Sequence, residues 1–291
     1  MKNLRDDPAE LTDEEFVKSL NKARDDILHS HSAFEEQTEY LKSDKNLKDC
    51  EPYDELASKF IELKREYSGS FKKLSEVAEA AAYRSEYSKG AYYSPSAMDM
   101  FVTGCPRGRL YKRTPKPGQY DCEYVFDKDG YLVCVKTYAA DLGGIANVEL
   151  FRREPKRTLS FSFNAFDGDL EAITEYLYKD GFLVSYARAL VYFKDKCSEL
   201  EVETYEYESD LLKTVNSVTY TPSIKLLDKN RYELFRGADG CLTGYTSENL
   251  NGYVPKGCEN EPRQFGPDPV LGAHKRIPHL WEDITKEKHV K

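Results

Sequence analysis

The sequence predicts an α+β protein in which an N-terminal antiparallel helical hairpin precedes a large antiparallel β-meander. Apolar residues recur at heptad-like spacing up to about residue 86, and they alternate with polar residues from about residue 119 onwards. A hairpin motif that contains Gly and Leu also repeats through the second region. These observations divide the chain into a helical hairpin at 1–88, an ordered connector at 89–118, a meander of repeated hairpins at 119–255 and an irregular C-terminal tail at 256–291.

The helical hairpin is predicted between residues 12 and 86. Thr12 and Glu15 form a capping box, and the polar stretch at 44–52 separates two apolar stripes. The first stripe contains Phe16, Leu20, Ala23, Ile27, Phe34 and Leu41, and the second contains Leu56, Phe60, Leu63, Tyr67, Leu74, Val77 and Ala81. Two helices of matched length bury little surface alone, so we expect the pair to pack on the sheet. Docking against a second copy or a partner is the alternative.

The connector at 89–118 is rich in Gly and Pro, which favours an ordered crossover over a regular element. It carries five positive charges: Arg107, Arg109, Lys112, Arg113 and Lys116. In an acidic chain we expect these cations to neutralise neighbouring carboxylates. Binding of nucleic acid is the alternative interpretation.

The meander is predicted from a repeated hairpin motif in which Gly is followed by one residue and then by Leu. It occurs at residues 124–132, 176–183 and 234–242, and degenerate copies lie at 150–159 and 205–212. The period is about 26 to 29 residues, which is the length of one hairpin and its link. Asp-Gly suits a two-residue hairpin loop, because Gly adopts positive φ freely and Asp tolerates it. We expect at most about ten strands up to about residue 250.

Composition limits the partners and the location of the chain. The formal net charge of −9 disfavours nucleic acid as the main partner, because a polyphosphate must be neutralised by Lys and Arg. No apolar stretch is long enough to cross a membrane, and the N-terminus lacks the apolar core of a signal peptide. The seven cysteines are predicted to be reduced structural thiols, which fits a cytoplasmic protein. We expect a monomer rather than an oligomer.

The sequence offers no recognisable reaction chemistry. It contains no phosphate-binding loop, zinc-protease motif or nucleophile elbow, and we expect no catalytic residues, cofactor or metal. The 51 acidic residues form many chance pairs, so sequence alone does not single out a catalytic couple. A hydrolase that uses carboxylates on the sheet therefore remains an alternative to a non-enzymatic protein.

An acidic ribbon between residues 199 and 210 is the candidate binding site. It contains no Lys or Arg, and its candidate partner-binding residues are Glu199, Glu201, Glu203, Tyr205, Glu206, Tyr207, Glu208 and Asp210. Like charges along one strand repel, whereas an acidic surface with aromatic anchors suits a basic protein partner. The alternative is an edge strand that uses its charges to prevent aggregation.

The motif Tyr124-Val-Phe-Asp-Lys-Asp-Gly-Tyr-Leu132 resembles the YD repeat of the Rhs and teneurin-like proteins. The chain departs from that family in its few copies and in Lys179, which stands where the repeat has Asp. Short chains with such hairpins also resemble immunity proteins of bacterial polymorphic toxin systems. That resemblance implies an acidic, non-enzymatic binder that neutralises a basic toxin such as a nuclease. A structural or assembly protein that oligomerises through the helical hairpin is the alternative.

Overall fold

The computed structural model describes residues 35–93, 96, 108–139, 143–192, 196–208, 211–236, 242–251 and 263–265. Residues 35–41 are helical and belong to helix α1, which is followed by α2 at Asp44–Tyr67 and α3 at Phe71–Ala81. The strands are β1 (Arg84–Lys89), β2 (Arg109–Leu110), β3 (Cys122–Phe126), β4 (Leu132–Ala139), β5 (Gly144–Glu154), β6 (Arg157–Asn164), β7 (Leu170–Lys179), β8 (Phe182–Leu190), β9 (Glu199–Glu208), β10 (Leu211–Thr221), β11 (Leu226–Arg236), β12 (Leu242–Asn249) and β13 (Arg263–Phe265).

The helical region differs in detail from the sequence expectation. Residues 44–52 form the first part of α2, whose N-terminus is capped by the hydroxyl of Ser43, which accepts from the backbone N–H of Asn46. The helix continues through Pro52 and ends before Gly69, whose φ of 77° stops it. The predicted capping box and the apolar residues up to Phe34 lie outside the described residues.

The described strands form one antiparallel sheet in the order β13-β12-β11-β10-β9-β8-β7-β6-β5-β4-β3-β1-β2. Strands β3 to β12 follow one another in sequence and in space, which confirms the predicted meander. Strand β1 lies between β3 and the short edge strand β2, so the sheet begins before the meander itself.

The Asp-Gly turns are of two kinds. Between β7 and β8, Asp180 has φ 54° and Gly181 has φ 82°, as the predicted two-residue loop requires. Between β3 and β4 the loop is longer, and only Gly130 has positive φ, at 84°. There the carboxylate of Asp127 accepts from the backbone N–H groups of Asp129 and Tyr131. The corresponding turn after β11 lies outside the described residues.

Helices α2 and α3 pack on one side of the sheet, which we call the helix face, so the predicted packing on the sheet is confirmed for this part of the helical region. Cys50 near the start of α2 lies beside the β10–β11 turn, where its thiol contacts the carbonyl of Lys225 at 3.6 Å. At the other end of α2, Tyr67 stacks on Phe161 of β6 at 4.3 Å between ring centroids. Helix α2 therefore crosses the strands, and its apolar side covers only part of this face.

The opposite side, which we call the tyrosine face, is buried as well. Its core residues are Cys122, Tyr124, Phe126, Val135, Tyr176, Leu183, Tyr186, Tyr205, Leu212, Val215, Tyr232, Leu234 and Tyr245. Tyrosine provides large apolar area and a hydroxyl that can meet polar neighbours, which explains its frequency here.

Two contacts connect distant strands with the chain that lies on the tyrosine face. The hydroxyl of Tyr124 on β3 accepts from the backbone N–H of Tyr93 at 3.4 Å, and the hydroxyl of Ser96 donates to Glu203 of β9 at 2.6 Å. Tyr93 and Ser96 therefore pack against strands that are six positions apart in the sheet.

Cys122 and Cys134 are buried in strands, as expected for small apolar side chains, and Cys50 and Cys197 are likewise buried, free thiols. None of the helices in the described part of the chain is long and apolar enough to span a membrane.

Candidate protein-binding surface

Most of the acidic ribbon coincides with β9, which is an interior strand. It pairs with β8 on one side and β10 on the other, so the edge-strand alternative is wrong. Successive side chains of a strand point to opposite faces, and the ribbon is consequently divided between the two faces of the sheet. Asp210 lies outside the described residues.

One set of ribbon residues points to the tyrosine face: Glu199, Glu201, Glu203, Tyr205 and Tyr207. Glu203 is only 5% exposed and accepts hydrogen bonds from the hydroxyls of Ser96 and Tyr205. Tyr207 donates to the carbonyl of Leu183 at 2.9 Å. These hydrogen bonds belong to the interior of the protein, so Glu203, Tyr205 and Tyr207 contribute to folding rather than to an exposed surface.

Charged residues of neighbouring strands accompany Glu201 on the tyrosine face. Arg188 of β8 is its register partner and interacts electrostatically with both Glu201 and Glu149. Burial raises the pKa of the Glu149 carboxyl, although the hydroxyl of Ser160 donates to it at 2.5 Å. Opposite charges thus partly compensate one another on this face. Within the described ranges, no group of three or more His, Cys, Asp or Glu residues is arranged to hold a metal ion.

The other set of ribbon residues points to the helix face beyond the area that α2 covers. Glu206 and Glu208 are exposed there. Together with neighbouring residues of β7 to β12 they form a surface that we call the open patch. Its members are Leu177, Thr204, Glu206, Glu208, Leu211, Lys213, Asn216, Arg231, Glu233, Phe235 and Glu248.

The strand register explains how residues so distant in sequence come together. Leu177, Ser185, Thr204, Asn216, Arg231 and Glu248 follow one another as direct cross-strand neighbours from β7 to β12. Five strand spacings make this row about 24 Å long. Glu206 and Glu233 flank the row, each opposite Thr214.

The open patch combines apolar area with excess negative charge. Leu177, Leu211 and Phe235 are 37%, 39% and 38% exposed. Two of the carboxylates have basic neighbours: Glu208 lies 2.7 Å from Lys213, and Glu233 lies 3.4 Å from Arg231. Such exposed ion pairs contribute little stability and are readily exchanged for other partners.

Sequence reasoning identified Glu206 and Glu208 but missed Glu233, Glu248 and the apolar residues of the open patch. The available signal was the alternation in β11, where Glu233 and Phe235 alternate with the buried Tyr232 and Leu234. It indicates that Phe235 and Glu233 share a face. It does not indicate that these two residues lie beside Glu206 and Glu208 of the ribbon.

The basic connector does not neutralise the ribbon. Arg109, Lys112, Arg113 and Lys116 are exposed, and none forms an ion pair with any residue that the structure describes. Arg107 lies outside the described residues. The expected neutralisation of neighbouring carboxylates is therefore not seen for these four cations.

Comparisons with family models, with curated proteins and with solved structures give no match to this chain.

Proposed function

We propose that this chain is a non-enzymatic protein-binding module that holds a basic protein partner on the open patch. One observation carries the proposal: the interior strands β7 to β11 expose Leu177, Leu211 and Phe235 beside four carboxylates. The core of a protein interface combines large apolar side chains with a polar rim, and this surface has both.

The two kinds of residue have separate tasks in binding. The carboxylates Glu206 and Glu248, with the more closely paired Glu208 and Glu233, attract a basic surface and accelerate its association. Phe235 and the two leucines lose their exposed area when the partner docks and slow its dissociation. The paired strands keep the backbone of these residues in a fixed arrangement, so little conformational entropy is lost on binding.

In its narrower form, the proposal is that the chain is a cytoplasmic immunity protein of a bacterial polymorphic toxin system, with a basic toxin such as a nuclease as its partner. The resemblance of residues 124–132 to the YD repeat, the net charge of −9 and four buried free thiols support this form. Its test is co-expression with the product of the adjacent gene, where rescue of growth is expected and continued growth arrest would contradict it.

The broader proposal is tested with an octalysine peptide as a basic probe. A variant with Glu206→Lys, Glu233→Lys and Glu248→Lys should bind the peptide about tenfold more weakly at about 50 mM salt, because it reverses charge where the peptide docks. The affinity is measured by fluorescence anisotropy of a labelled peptide.

The matched control reverses Glu55, Glu62 and Glu76, which are exposed on α2 and α3 and change the net charge equally. The control should bind more weakly than the wild type, but by much less than the open-patch variant. Equal losses in both variants would show that only net charge matters, and the open patch would then not be a binding surface. Phe235→Ala should raise the rate of dissociation from a folded basic partner once one is identified.

A further inference from the structure

The four described cations of the connector form a second charged surface, the basic edge: Arg109, Lys112, Arg113 and Lys116. It lies at one margin of the sheet, where β2 is the outermost strand. None of these cations has an ion-pair partner among the described residues. All four are exposed and lie within eight residues of one another along the chain, whose net charge is −9.

The loop that carries the basic edge is held in place by hydrogen bonds. The Tyr111 hydroxyl donates to the carbonyl of Gln119 at 2.5 Å, and the Gln119 side chain accepts from the backbone N–H of Lys116 at 3.2 Å. At the start of the loop Gly108 packs closely on Gly90: a Cβ atom added to Gly108 would lie 2.3 Å from the carbonyl oxygen of Gly90. The cations therefore project from an ordered loop.

Beside this loop lies a row of three tyrosine rings. Tyr120 meets Tyr87 and Tyr138 edge to face, each at 4.7 Å between ring centroids. The hydroxyls of Tyr87 and Tyr138 donate to the carboxylate of Glu123, which also has Lys136 at 3.4 Å. The row thus gives the basic edge a rigid aromatic neighbour. The negative charge of Glu123 beside it is compensated by Lys136.

The basic edge and the open patch are complementary, but they cannot meet within one molecule. Eight strand spacings separate β2 from β9, which corresponds to about 38 Å along the sheet. This separation is several times the length of an Arg or Lys side chain, so the cations of the basic edge do not reach the carboxylates of the open patch.

We infer that the basic edge of one molecule docks on the open patch of a second copy of this chain. The inference rests on the broader form of the proposed function, because it concerns the same patch: a second copy of this chain supplies the basic protein surface, in place of the toxin of the narrower form. Two different surfaces take part, so the contact is head to tail and can extend to further copies. It differs from the monomer that we expected from the sequence.

Sedimentation velocity at increasing protein concentration tests this inference. At about 50 mM salt the weight-average sedimentation coefficient of the wild type should rise with concentration, and at about 500 mM salt it should remain that of a monomer. Reversal of the basic edge by Arg109→Glu, Lys112→Glu, Arg113→Glu and Lys116→Glu should abolish the rise. Substitution of the same four residues by Gln provides a milder variant in case the reversed one does not fold.

A mixing experiment distinguishes a specific contact from general charge effects. A second variant reverses the open patch through Glu206→Lys, Glu208→Lys, Glu233→Lys and Glu248→Lys. Each variant alone should be monomeric, and an equimolar mixture should form dimers, because the intact patch of one meets the intact edge of the other. The matched control reverses four exposed lysines elsewhere and should still associate; these are Lys48, Lys72, Lys73 and Lys128.

A wild type that stays monomeric at every concentration and low salt would overturn the inference. In that case a localised effect of the open patch on octalysine binding would still support the proposed function, so the two failures are distinguishable. The remaining outcome is a monomeric wild type that binds a 20-nucleotide oligothymidine through the basic edge. It would make that edge a nucleic-acid surface and would also overturn the inference.

Discussion

Lys59 of α2 donates to both carboxylate oxygens of Glu175 on β7, at 2.9 and 2.7 Å. Glu175 is only 4% exposed, whereas Lys59 is 43% exposed. Arg157 of β6 lies 3.3 Å from the same carboxylate. This contact fixes the middle of α2 above the centre of the sheet, and it lies next to Leu177 at the border of the open patch.

We expect Lys59→Met to lower the free energy of unfolding by about 1–3 kcal/mol, because a buried carboxylate loses one of its two cationic partners. Glu175→Gln should cost less, because the exposed ammonium of Lys59 can return to water. In the Glu175→Gln background, Lys59→Met should therefore cost little. Urea unfolding of the two single variants and the double variant at pH 7 measures the difference.

The control for this cycle is Lys48→Met, which removes an exposed lysine of the same helix that has no ion-pair partner among the described residues. If Lys59→Met were no more destabilising than the control, the contact with Glu175 would not contribute to the position of α2.

The sequence predicts the meander well because alternation and turn chemistry are local signals. It does not predict that residues 44–52 are helical, because the reason is tertiary. The side chain of Asn46 donates to the carbonyl of Lys225 at 2.9 Å, and Cys50 contacts the same atom. Distant contacts on the β10–β11 turn thus stabilise a polar segment that contains Pro52.

The candidate site is only half predictable for a similar reason. Composition alone identifies the ribbon, and period-two alternation separates Glu203 from Glu206. Which of the two is exposed depends on the neighbouring strands and on how far α2 extends across the helix face. That extent follows from the ends of α2, which the sequence pattern places incorrectly.

The turn between β7 and β8 predicts a difference between two glycines. Gly181 has φ 82°, and no atom lies within 4 Å of a Cβ added there. Gly181→Ala should therefore cost about 1–2 kcal/mol through backbone conformation alone. Gly144 has equal space without positive φ, so Gly144→Ala should change stability by less than about 0.5 kcal/mol. Thermal unfolding compares the pair, and equal effects would exclude a left-handed backbone at Gly181.

The cysteines should be reduced and slow to react in the folded protein. Burial raises the pKa of Cys134 to about 12 and that of Cys197 to about 11, so very little of either thiol is ionised at pH 8. We expect a thiol reagent to titrate all seven cysteines after unfolding without reductant, with the buried thiols reacting slowly before unfolding. Recovery of two or more fewer thiols than in a reduced sample would indicate a disulfide.

The contributions of Glu149 and Glu154 of β5 to stability should change with pH in opposite directions. Burial raises the pKa of Glu149 above its ordinary value of 4.5. Stability associated with its protonated form is therefore present below pH 4.5 and is lost as the pH rises through the raised pKa. Glu149→Gln should unfold like the wild type near pH 4 and be more stable than it at pH 7.5.

Glu154 provides the control, because its pKa is shifted in the opposite direction. A hydrogen bond from Arg157 lowers its pKa, so the stability that it contributes is present above pH 4.5 and is lost as the pH falls through the lowered value. Glu154→Gln should be slightly less stable than the wild type at pH 7.5, and the difference should disappear in acid. Urea unfolding at several pH values measures both variants. If Glu149→Gln were destabilising at pH 7.5, the carboxylate would be stabilised by Arg188 more than it is penalised by burial, and the charges on the tyrosine face would be a source of stability.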